Sequence, residues 1–398
     1  MSDSDSDLHD SKPVRNDILI FGSPKIEQPE IDEVVDCLKS GWIGTGPKAQ
    51  KFENTFRDYI GSKYAMALNS CTAALHLSML VSEVSSGDEV ITTPMTFAAT
   101  SNAIIHTGAK PIFVDVEKDS MNIDPNLIEK AITPKTKAIL PVHFAGRPCK
   151  MDHIIEIAQK NNLLVIEDAA HAIEAEYKGK KIGNIGDMTC FSFYVTKNLV
   201  TGEGGMVTTN NEEWSQKIKV FGLHGMSKDA WQRYADKSYT HYQVVVPGFK
   251  YNMMDIQASL GIHQLERLGK NFKRRKEIWE IYNKAFEDLP FDTPSEEKDT
   301  VHARHLYTIL LDINKLKISR DEFMSALRRE NIGTGVHYIS LHLQLYYKET
   351  FGFKKDNFPN AAYISERTVS IPFSAKLTEK DVQDVIDATT KVINHNMK

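Results

Sequence analysis

Between Lys63 and Thr209, short apolar runs alternate with amphipathic stretches of helical length. The runs DEVITT, PIFVDV, KAILPVHF, LLVIED, TCFSF and GGMVTT have the length of buried strands, and helices are predicted to begin near Phe97 and Met151. Strands that alternate with helices form parallel sheets, because each parallel connection has to cross back over a face of the sheet. The sequence therefore predicts an α/β fold with a mostly parallel sheet flanked by helices.

The character of the chain changes after Tyr251, where long charged helices begin. A strand and helix region follows, and the chain closes with a helix from Glu379. We predict a large domain over residues 16–265 and a smaller C-terminal α+β domain over residues 266–398. Residues 1–15 are rich in Ser and Asp and poor in apolar side chains, so they predict a disordered tail that cannot offset the entropy of ordering.

Charge and cysteine content exclude several classes of function. The 48 Lys and Arg against 53 Asp and Glu give a net charge of −5, and no basic cluster interleaved with aromatics predicts nucleic-acid binding. No apolar run approaches the roughly 20 residues that cross a bilayer, so no membrane segment is predicted. The four cysteines form no C-x-x-C pair, which argues against a metal site and a disulfide framework. We expect a cytoplasmic protein.

Chemically useful residues follow several of the predicted strands directly. Ligands of open α/β sheets bind beyond the carboxyl ends of the strands, so these residues predict a shared site. In chain order they are Ser70, Thr72, Ala73, Phe97, Asp168, His171, Ser192 and Lys197.

Each of these residues alone has an ordinary structural explanation: Ser70 and Thr72 can cap a helix, and Phe97 can belong to the core. Together they meet the needs of one cofactor, pyridoxal 5′-phosphate (PLP). Its phosphate needs N–H groups at a helix start, its ring an aromatic cover, its ring nitrogen a carboxylate and its aldehyde a lysine. Asp168 would keep the ring nitrogen protonated through a charge-assisted hydrogen bond of roughly 1.5–3 kcal/mol, and Lys197 would bond to the aldehyde.

The sequence resembles the DegT/DnrJ/EryC1/StrS family of PLP-dependent sugar aminotransferases, which have the fold-type I architecture. The resemblance runs from about Ile26 to the final helix. Its carriers are the segments GWIGTGPK, ALNSCTAALHL, ITTPMTFAAT, PVHFAGRPCKMD, VIEDAAHAIEAEYKGKKIGNIGD, FSFYVTKNLVTGEGGMV, FKYNMMDIQASLGIHQL and GTGVHYISLHLQLYY. Cys71 departs from the Gly or Ala of many relatives, and we interpret it as a tolerated small residue.

The resemblance implies a role for each matching residue. Lys197 would bind the cofactor aldehyde and move protons during amino transfer, and Asp168 would pair with the ring nitrogen. Thr72, Ala73 and Ser192 would hold the phosphate. Three further contacts are implied: Phe97 over one face of the ring, His171 near the other face or the ring oxygen, and Asn252 reaching the phosphate of the neighbouring subunit in a homodimer with a shared active site.

The resemblance also implies the substrates, L-glutamate as amino donor and a nucleotide-linked keto-sugar as acceptor. The segments PVHFAGRPCKMD and GTGVHYISLHLQLYY are most similar to those of enzymes that aminate UDP-4-keto-sugars. Thr45, His337 and His342 are therefore predicted to contact the sugar or nucleotide, and Lys48 to lie at the mouth of the cleft.

Several alternatives stay open at the level of sequence. Some relatives are sugar dehydratases that carry histidine in place of the reactive lysine, and the lysine at position 197 favours amino transfer. An amino-acid decarboxylase, a 3-keto-sugar aminotransferase and a cyclitol aminotransferase remain alternatives. A non-catalytic binding protein is disfavoured because both Lys197 and Asp168 are present.

Overall fold

The computed structural model describes residues 12–227 and 242–398. Its strands are β1 (Tyr64–Leu68), β2 (Glu89–Thr92), β3 (Lys110–Phe113), β4 (Thr136–Ile139), β5 (Leu164–Asp168), β6 (Glu176–Tyr177), β7 (Lys180–Lys181), β8 (Met188–Ser192), β9 (Gly205–Thr209), β10 (Phe291–Asp292), β11 (Thr300–Val301), β12 (Tyr307–Leu311) and β13 (Thr368–Ile371).

The helices lie between these strands and at both ends of the described chain. They are α1 (Gln28–Ser40), α2 (Pro47–Ile60), α3 (Cys71–Val81), α4 (Ala98–His106), α5 (Pro125–Ala131), α6 (Met151–Lys160), α7 (Glu212–Gly222), α8 (Asp255–Glu266), α9 (Leu268–Ala285), α10 (Arg320–Arg329), α11 (Leu345–Phe351), α12 (Pro359–Ser365) and α13 (Glu379–His395). Within the described ranges, no helix has both the length and the apolar character that spanning a bilayer requires.

Seven strands form one sheet in the order β1-β9-β8-β5-β4-β2-β3. The pairs from β8 to β3 are parallel, whereas β9 is antiparallel to both β1 and β8. The first residue of β9, Gly205, is therefore paired with the last residues of its neighbours, Leu68 and Ser192. The predicted α/β fold with a mostly parallel sheet is confirmed.

Alternate residues of each strand pack on opposite faces of this sheet, as the pleat requires. In β1, Ala65 and Ala67 join a buried cluster with side chains of α2, α6 and α8. Met66 and Leu68 join a second buried cluster with side chains of α3, α4 and α7. The strands are apolar on both faces because helices cover both.

A smaller domain forms around the sheet β10-β12-β13. Buried side chains of α9, α10 and α13 pack on it, and Val14 and Leu19 from the start of the chain join the same cluster. The predicted boundary at residue 265 falls close to the junction of α8 and α9. Val14 and Leu19 therefore pack with a domain that the sequence analysis predicted to begin only at residue 266.

Residues 1–11 of the predicted disordered tail lie outside the described residues. The remaining part of that prediction differs from the structure, because Val14 and Arg15 are held in place. The Val14 N–H donates to Glu330 Oε2 at 2.8 Å, and the Arg15 guanidinium pairs with Asp381 and Asp384 at 2.7 Å each.

Several contacts join the smaller domain to the large one, and two of them lie at β11 and near the end of β2. Strand β11 pairs antiparallel with β6, through Thr300 opposite Tyr177 and Val301 opposite Glu176. The second contact lies near the end of β2, where the Leu341 N–H and the Ser340 hydroxyl donate to the Pro94 carbonyl at 2.8 and 3.1 Å.

Gly205 lies where β9 approaches the loop before α3. A β-carbon at this position would lie 2.4 Å from the Ser70 carbonyl carbon and 2.6 Å from the Cys71 nitrogen. Both are backbone atoms, so a side chain here would push the start of α3 away from the sheet.

We expect Gly205→Ala to destabilise the protein by about 1–3 kcal/mol, the usual cost of overpacking a rigid site. Gly269→Ala in α9 is the control, because a β-carbon there meets nothing within 4 Å. That change should be neutral or stabilise by about 1 kcal/mol, since alanine favours helix. Urea denaturation compares the two, and equal free energies of unfolding would contradict the close approach.

Candidate active site

The residues that follow the strands converge at one edge of the large sheet. Strands β1, β5 and β8 all end there, and the register places Asp168 opposite Cys190 and Ser192 opposite Gly205. The structure therefore brings together the strand-end residues that the sequence analysis selected, over a span of four adjacent strands.

The loop after β1 presents the start of helix α3. Ser70 is its N-cap, and its hydroxyl accepts a hydrogen bond from the Ala73 N–H at 3.1 Å. The first N–H groups of a helix lack acceptors within the helix, so those of Cys71 and Thr72 are the ones left for an anion, and Ala73 is already bonded. Cys71 is buried, and burial raises the pKa of its thiol well above the ordinary value. It is therefore a packing residue.

Asp168 ends β5 and is 5% exposed. Its Oδ2 accepts a hydrogen bond from the Thr100 hydroxyl at 2.7 Å, and its Oδ1 accepts one from the Ala170 N–H at 3.0 Å. Burial raises the pKa of this carboxyl above its ordinary value, and these two hydrogen bonds act against the rise. They also fix the orientation of the carboxylate toward the site.

Lys197 lies in a tight turn after β8, where its N–H donates to the Tyr194 carbonyl at 2.9 Å. Burial lowers the pKa of its amine to about 8, since the charged form is poorly solvated there. An amine with such a pKa has a substantial unprotonated fraction near neutral pH, and the unprotonated form is the nucleophile.

His171 and Tyr338 form a hydrogen-bonded pair above the strand ends. The Ala145 N–H donates to His171 Nδ1 at 3.2 Å, so the neutral ring carries its hydrogen on Nε2 and donates it to the Tyr338 oxygen at 3.2 Å. Burial, with the nearby charge of Lys197, lowers the pKa of His171 well below its ordinary value. The Tyr338 hydroxyl thus keeps its own hydrogen for a ligand. Phe97, whose ring centre lies 6.3 Å from that of Tyr338, is 64% exposed.

Asn252 and Thr45 lie together at the β1 edge of the sheet. The Asn252 amide nitrogen donates to the Thr45 hydroxyl, which in turn donates to the Met253 carbonyl. Asn252 Oδ1 is buried and has no hydrogen-bond partner within the described part of the chain. Both residues line a cavity of about 440 Å³ that Trp42 also borders. The Thr45 hydroxyl thus orients Asn252, whereas the sequence analysis predicted that Thr45 contacts the sugar or nucleotide.

His337 lies beside the site, with Nδ1 bonded to the Ser370 hydroxyl at 2.8 Å. Burial lowers the pKa of His337 to about 4, so its ring is neutral at pH 7.

His342 does not lie where the sequence analysis expected it, and the ammonium of Lys48 is already paired with carboxylates. His342 is fully buried, and its two ring nitrogens already contact the Ser340 hydroxyl and the Lys355 carbonyl. It is a packing residue because its apolar neighbours in the segment 333–347 fold it inward. The Lys48 ammonium is neutralised by Glu33 and Asp36.

Three residues with direct contacts to the site escaped the sequence analysis: Thr100, Tyr338 and His305. Thr100 lies in the first turn of α4 and Thr96 lies just before that helix, so the signal in the sequence is two threonines four positions apart. The Thr96 and Thr100 hydroxyls are 2.7 Å apart. Tyr338 and His305 carry no comparable signal, because their position depends on how the smaller domain packs on the large one.

Comparison with known proteins matches the site to a class of enzyme. Residues 24–390 match the model of the DegT/DnrJ/EryC1/StrS aminotransferase family. The chain is 50% identical to the spore coat polysaccharide biosynthesis protein SpsC of Bacillus subtilis, over 95% of this chain and 98% of that protein.

Two solved structures share the fold over nearly the whole chain. Spr1654 of Streptococcus pneumoniae, assigned as a sugar aminotransferase and solved in its PLP form, has a TM-score of 0.88 at 34% identity, covering 95% of this chain and 99% of that one. PseC of Helicobacter pylori, an aminotransferase involved in the biosynthesis of pseudoaminic acid, has a TM-score of 0.88 at 28% identity, with 95% and 99% covered.

The fold is that of the fold-type I aminotransferases. The chain belongs to the DegT/DnrJ/EryC1/StrS aminotransferase family and is a PLP-dependent sugar aminotransferase.

The residues at the sheet edge fit PLP. The start of α3 suits a phosphate, the Asp168 carboxylate suits a protonated ring nitrogen, and the Lys197 amine suits an aldehyde. Phe97 offers an exposed ring face on the same side. These residues therefore offer a binding partner for each chemical group of the cofactor.

We expect Thr100→Val to weaken PLP binding roughly tenfold or more, because a hydrogen bond to a charged group contributes about 1.5–3 kcal/mol. Titration of protein fluorescence with PLP measures the dissociation constant. Thr96→Val is the matched control: Thr100 donates its hydrogen to Asp168, so Thr96 can only donate to Thr100. An equal loss of affinity in both variants would show that the bond to Asp168 is not what matters.

Proposed function

We propose that this enzyme transfers the amino group of L-glutamate to a nucleotide-linked keto-sugar. The proposal rests on the amine of Lys197 at the edge of the sheet. Burial lowers the pKa of this amine to about 8, and the amine interacts electrostatically with the buried carboxylate of Asp168. A lysine at this position can both bond to an aldehyde and move protons, whereas histidine could only move protons.

When bound, PLP supplies an electron sink that lets the amino group change carriers. Lys197 holds the cofactor aldehyde at rest and, once free, carries a proton on Nζ between the two reacting carbons. Asp168 accepts the hydrogen bond of the ring nitrogen, held in place by Thr100 and Ala170. Thr72 and Ser192 would hold the phosphate, Phe97 would cover one face of the ring, and His171 would lie near the other face or the ring oxygen.

The names of two relatives support an amino-sugar product. SpsC takes part in spore coat polysaccharide biosynthesis, and PseC in the biosynthesis of pseudoaminic acid. We propose a UDP-4-keto-sugar as acceptor and a precursor of a surface glycan as product. Among the predicted substrate contacts, His337 is the one that faces the site, and its neutral ring would bind sugar or phosphate oxygens by hydrogen bonding rather than by charge.

A homodimer with shared active sites is part of the proposal. The buried Oδ1 of Asn252 has no hydrogen-bond partner among residues 12–227 and 242–398 of its own chain, which is rare for a native polar atom. Asn252 also keeps a second amide hydrogen beside the one given to Thr45. The 440 Å³ cavity at its side would receive a second copy of the chain, so that Asn252 reaches the phosphate bound by that copy.

We place the activity in the cytoplasm. All four cysteines are free thiols and are buried, in keeping with a reducing compartment.

Lys197→Ala should abolish amino transfer while leaving the fold intact, because a half-buried lysine in a turn contributes little to the core. Lys180→Ala on β7, which removes an exposed lysine, should keep full activity. Release of 2-oxoglutarate measures turnover, and circular dichroism checks the fold. More than a trace of activity in pure Lys197→Ala protein would contradict the assignment.

The substrate is tested by offering glutamate with UDP- and dTDP-linked 3-keto and 4-keto sugars. We expect amination at C4 of a UDP-4-keto-sugar, detected by mass spectrometry of the amino-sugar product. Preference for a 3-keto or dTDP-linked acceptor would overturn the acceptor while the aminotransferase assignment stands. Activity on a free sugar or cyclitol alone would remove the nucleotide as well.

Mixing two inactive variants tests the shared site. If Asn252 serves the partner's site, Lys197→Ala mixed with Asn252→Leu should regain up to about a quarter of wild-type activity after subunit exchange. A hybrid dimer then has one site with both defects and one with neither. No recovery despite exchange shown by native mass spectrometry would place Asn252 in its own subunit's site.

A further inference from the structure

Asn198 directly follows Lys197, and its side chain is held at every polar atom. The amide nitrogen donates to Glu174 Oε2 at 2.7 Å and to the Ala303 carbonyl at 3.0 Å. The amide oxygen lies 3.0 Å from Nδ1 of His305. These partners come from the segment after β5 and from the segment before β12, so Asn198 ties the Lys197 turn to both.

The Glu174 carboxylate is buried with a compensating charge. Its second oxygen pairs with the Arg275 guanidinium of α9, and the two side chains are 5% and 3% exposed. A buried ion pair adds little net stability over apolar residues of the same size. Its effect here is directional, because an acceptor-only carboxylate fixes which end of the Asn198 amide faces it.

These contacts determine the tautomer of His305. Both acceptors of the Asn198 nitrogen are acceptor-only groups, so the amide oxygen has to face His305 and accept a hydrogen from Nδ1. Burial lowers the pKa of His305 well below its ordinary value, so the ring is neutral. A neutral ring with its hydrogen on Nδ1 carries the lone pair on Nε2.

His305 and Lys197 border the same small cavity, of about 40 Å³. The ring of His305 is also packed against that of His171, with 4.5 Å between the centres. The imidazole is therefore fixed by Asn198 on one edge and by His171 on one face, and its acceptor nitrogen is the atom that neither contact uses.

We propose that His305 is a positioning residue for the amine of Lys197. Its Nε2 accepts a hydrogen bond from that amine once the amine is released from the bound cofactor, and Asn198, Glu174 and Arg275 hold the imidazole in the tautomer that can accept it. The proposal rests on the proposed function, because it takes Lys197 as the reactive lysine. The proton stays on Nζ throughout, and no bond other than the hydrogen bond forms.

The test measures the free amine itself rather than turnover. The full chain is loaded with pyridoxamine 5′-phosphate, which leaves Lys197 unbonded, and is treated with an acetylating reagent over a series of pH values. Only the unprotonated amine reacts, so the rate of labelling of the Lys197 peptide, followed by mass spectrometry, gives its titration midpoint. Lys180 is the internal control for the reagent.

His305→Phe keeps a ring against His171 but has no acceptor. A hydrogen bond to the ammonium form favours that form, so losing it should lower the Lys197 midpoint by about one pH unit and speed labelling about tenfold at pH values below both midpoints. His305→Gln, whose amide oxygen reaches the place of Nε2, should keep the midpoint near that of wild type. If the His305 ring had a purely structural role, His305→Phe would instead keep the Lys197 midpoint and His305→Gln would change it.

Asn198→Ala is the second variant, in case His305→Phe does not fold. This variant frees the His305 ring to rotate, so the Lys197 midpoint should fall as it does in His305→Phe, but by a smaller amount. Unchanged midpoints in the folded variants would overturn the inference. Borohydride reduction of the PLP-loaded enzyme distinguishes failure of the His305 inference from failure of the proposed function. If the reduced cofactor is found on a lysine other than Lys197, the proposed function itself is wrong.

Discussion

Strand β9 enters the large sheet against the direction of both its neighbours, and the geometry of the site depends on that pairing. It places Gly205 between the last residues of β1 and β8, so the start of α3 and the turn that carries Lys197 leave the sheet side by side. Because Gly205 has no side chain, the Ser70 backbone can lie against β9. The phosphate end and the lysine end of the site are thus fixed by the backbone.

The charge state of the Lys197 amine depends on the neighbouring histidine rings staying neutral. Burial lowers the pKa of His171, His305 and His337, and the charge of Lys197 lowers each further. Three cationic rings would push the pKa of Lys197 still lower than burial does. Neutral rings instead serve as hydrogen-bond donors and acceptors, and the direction is set by the Ala145 N–H at His171 and by the Asn198 amide at His305.

Much of this arrangement could be predicted from sequence, because it rests on local patterns. The strand ends carry Asp168 and Ser192, and the family resemblance covers nearly the whole chain. His342 could not be judged from sequence, since a histidine between two leucines looks the same whether it faces a cleft or packs on Phe358. Nor could the anchoring of Arg15 to the carboxylates of Asp381 and Asp384, which lie more than 360 positions away.

The pairing of β11 with β6 has a consequence for how substrates enter. The smaller domain is joined there to the large domain, through the separate small sheet β11-β6-β7, and is held again at Pro94 near the end of β2. A hinged opening would have to strip backbone hydrogen bonds on both sides at once. The ring of Phe97 is exposed in this same arrangement, so a ligand can reach that ring without the two domains moving apart.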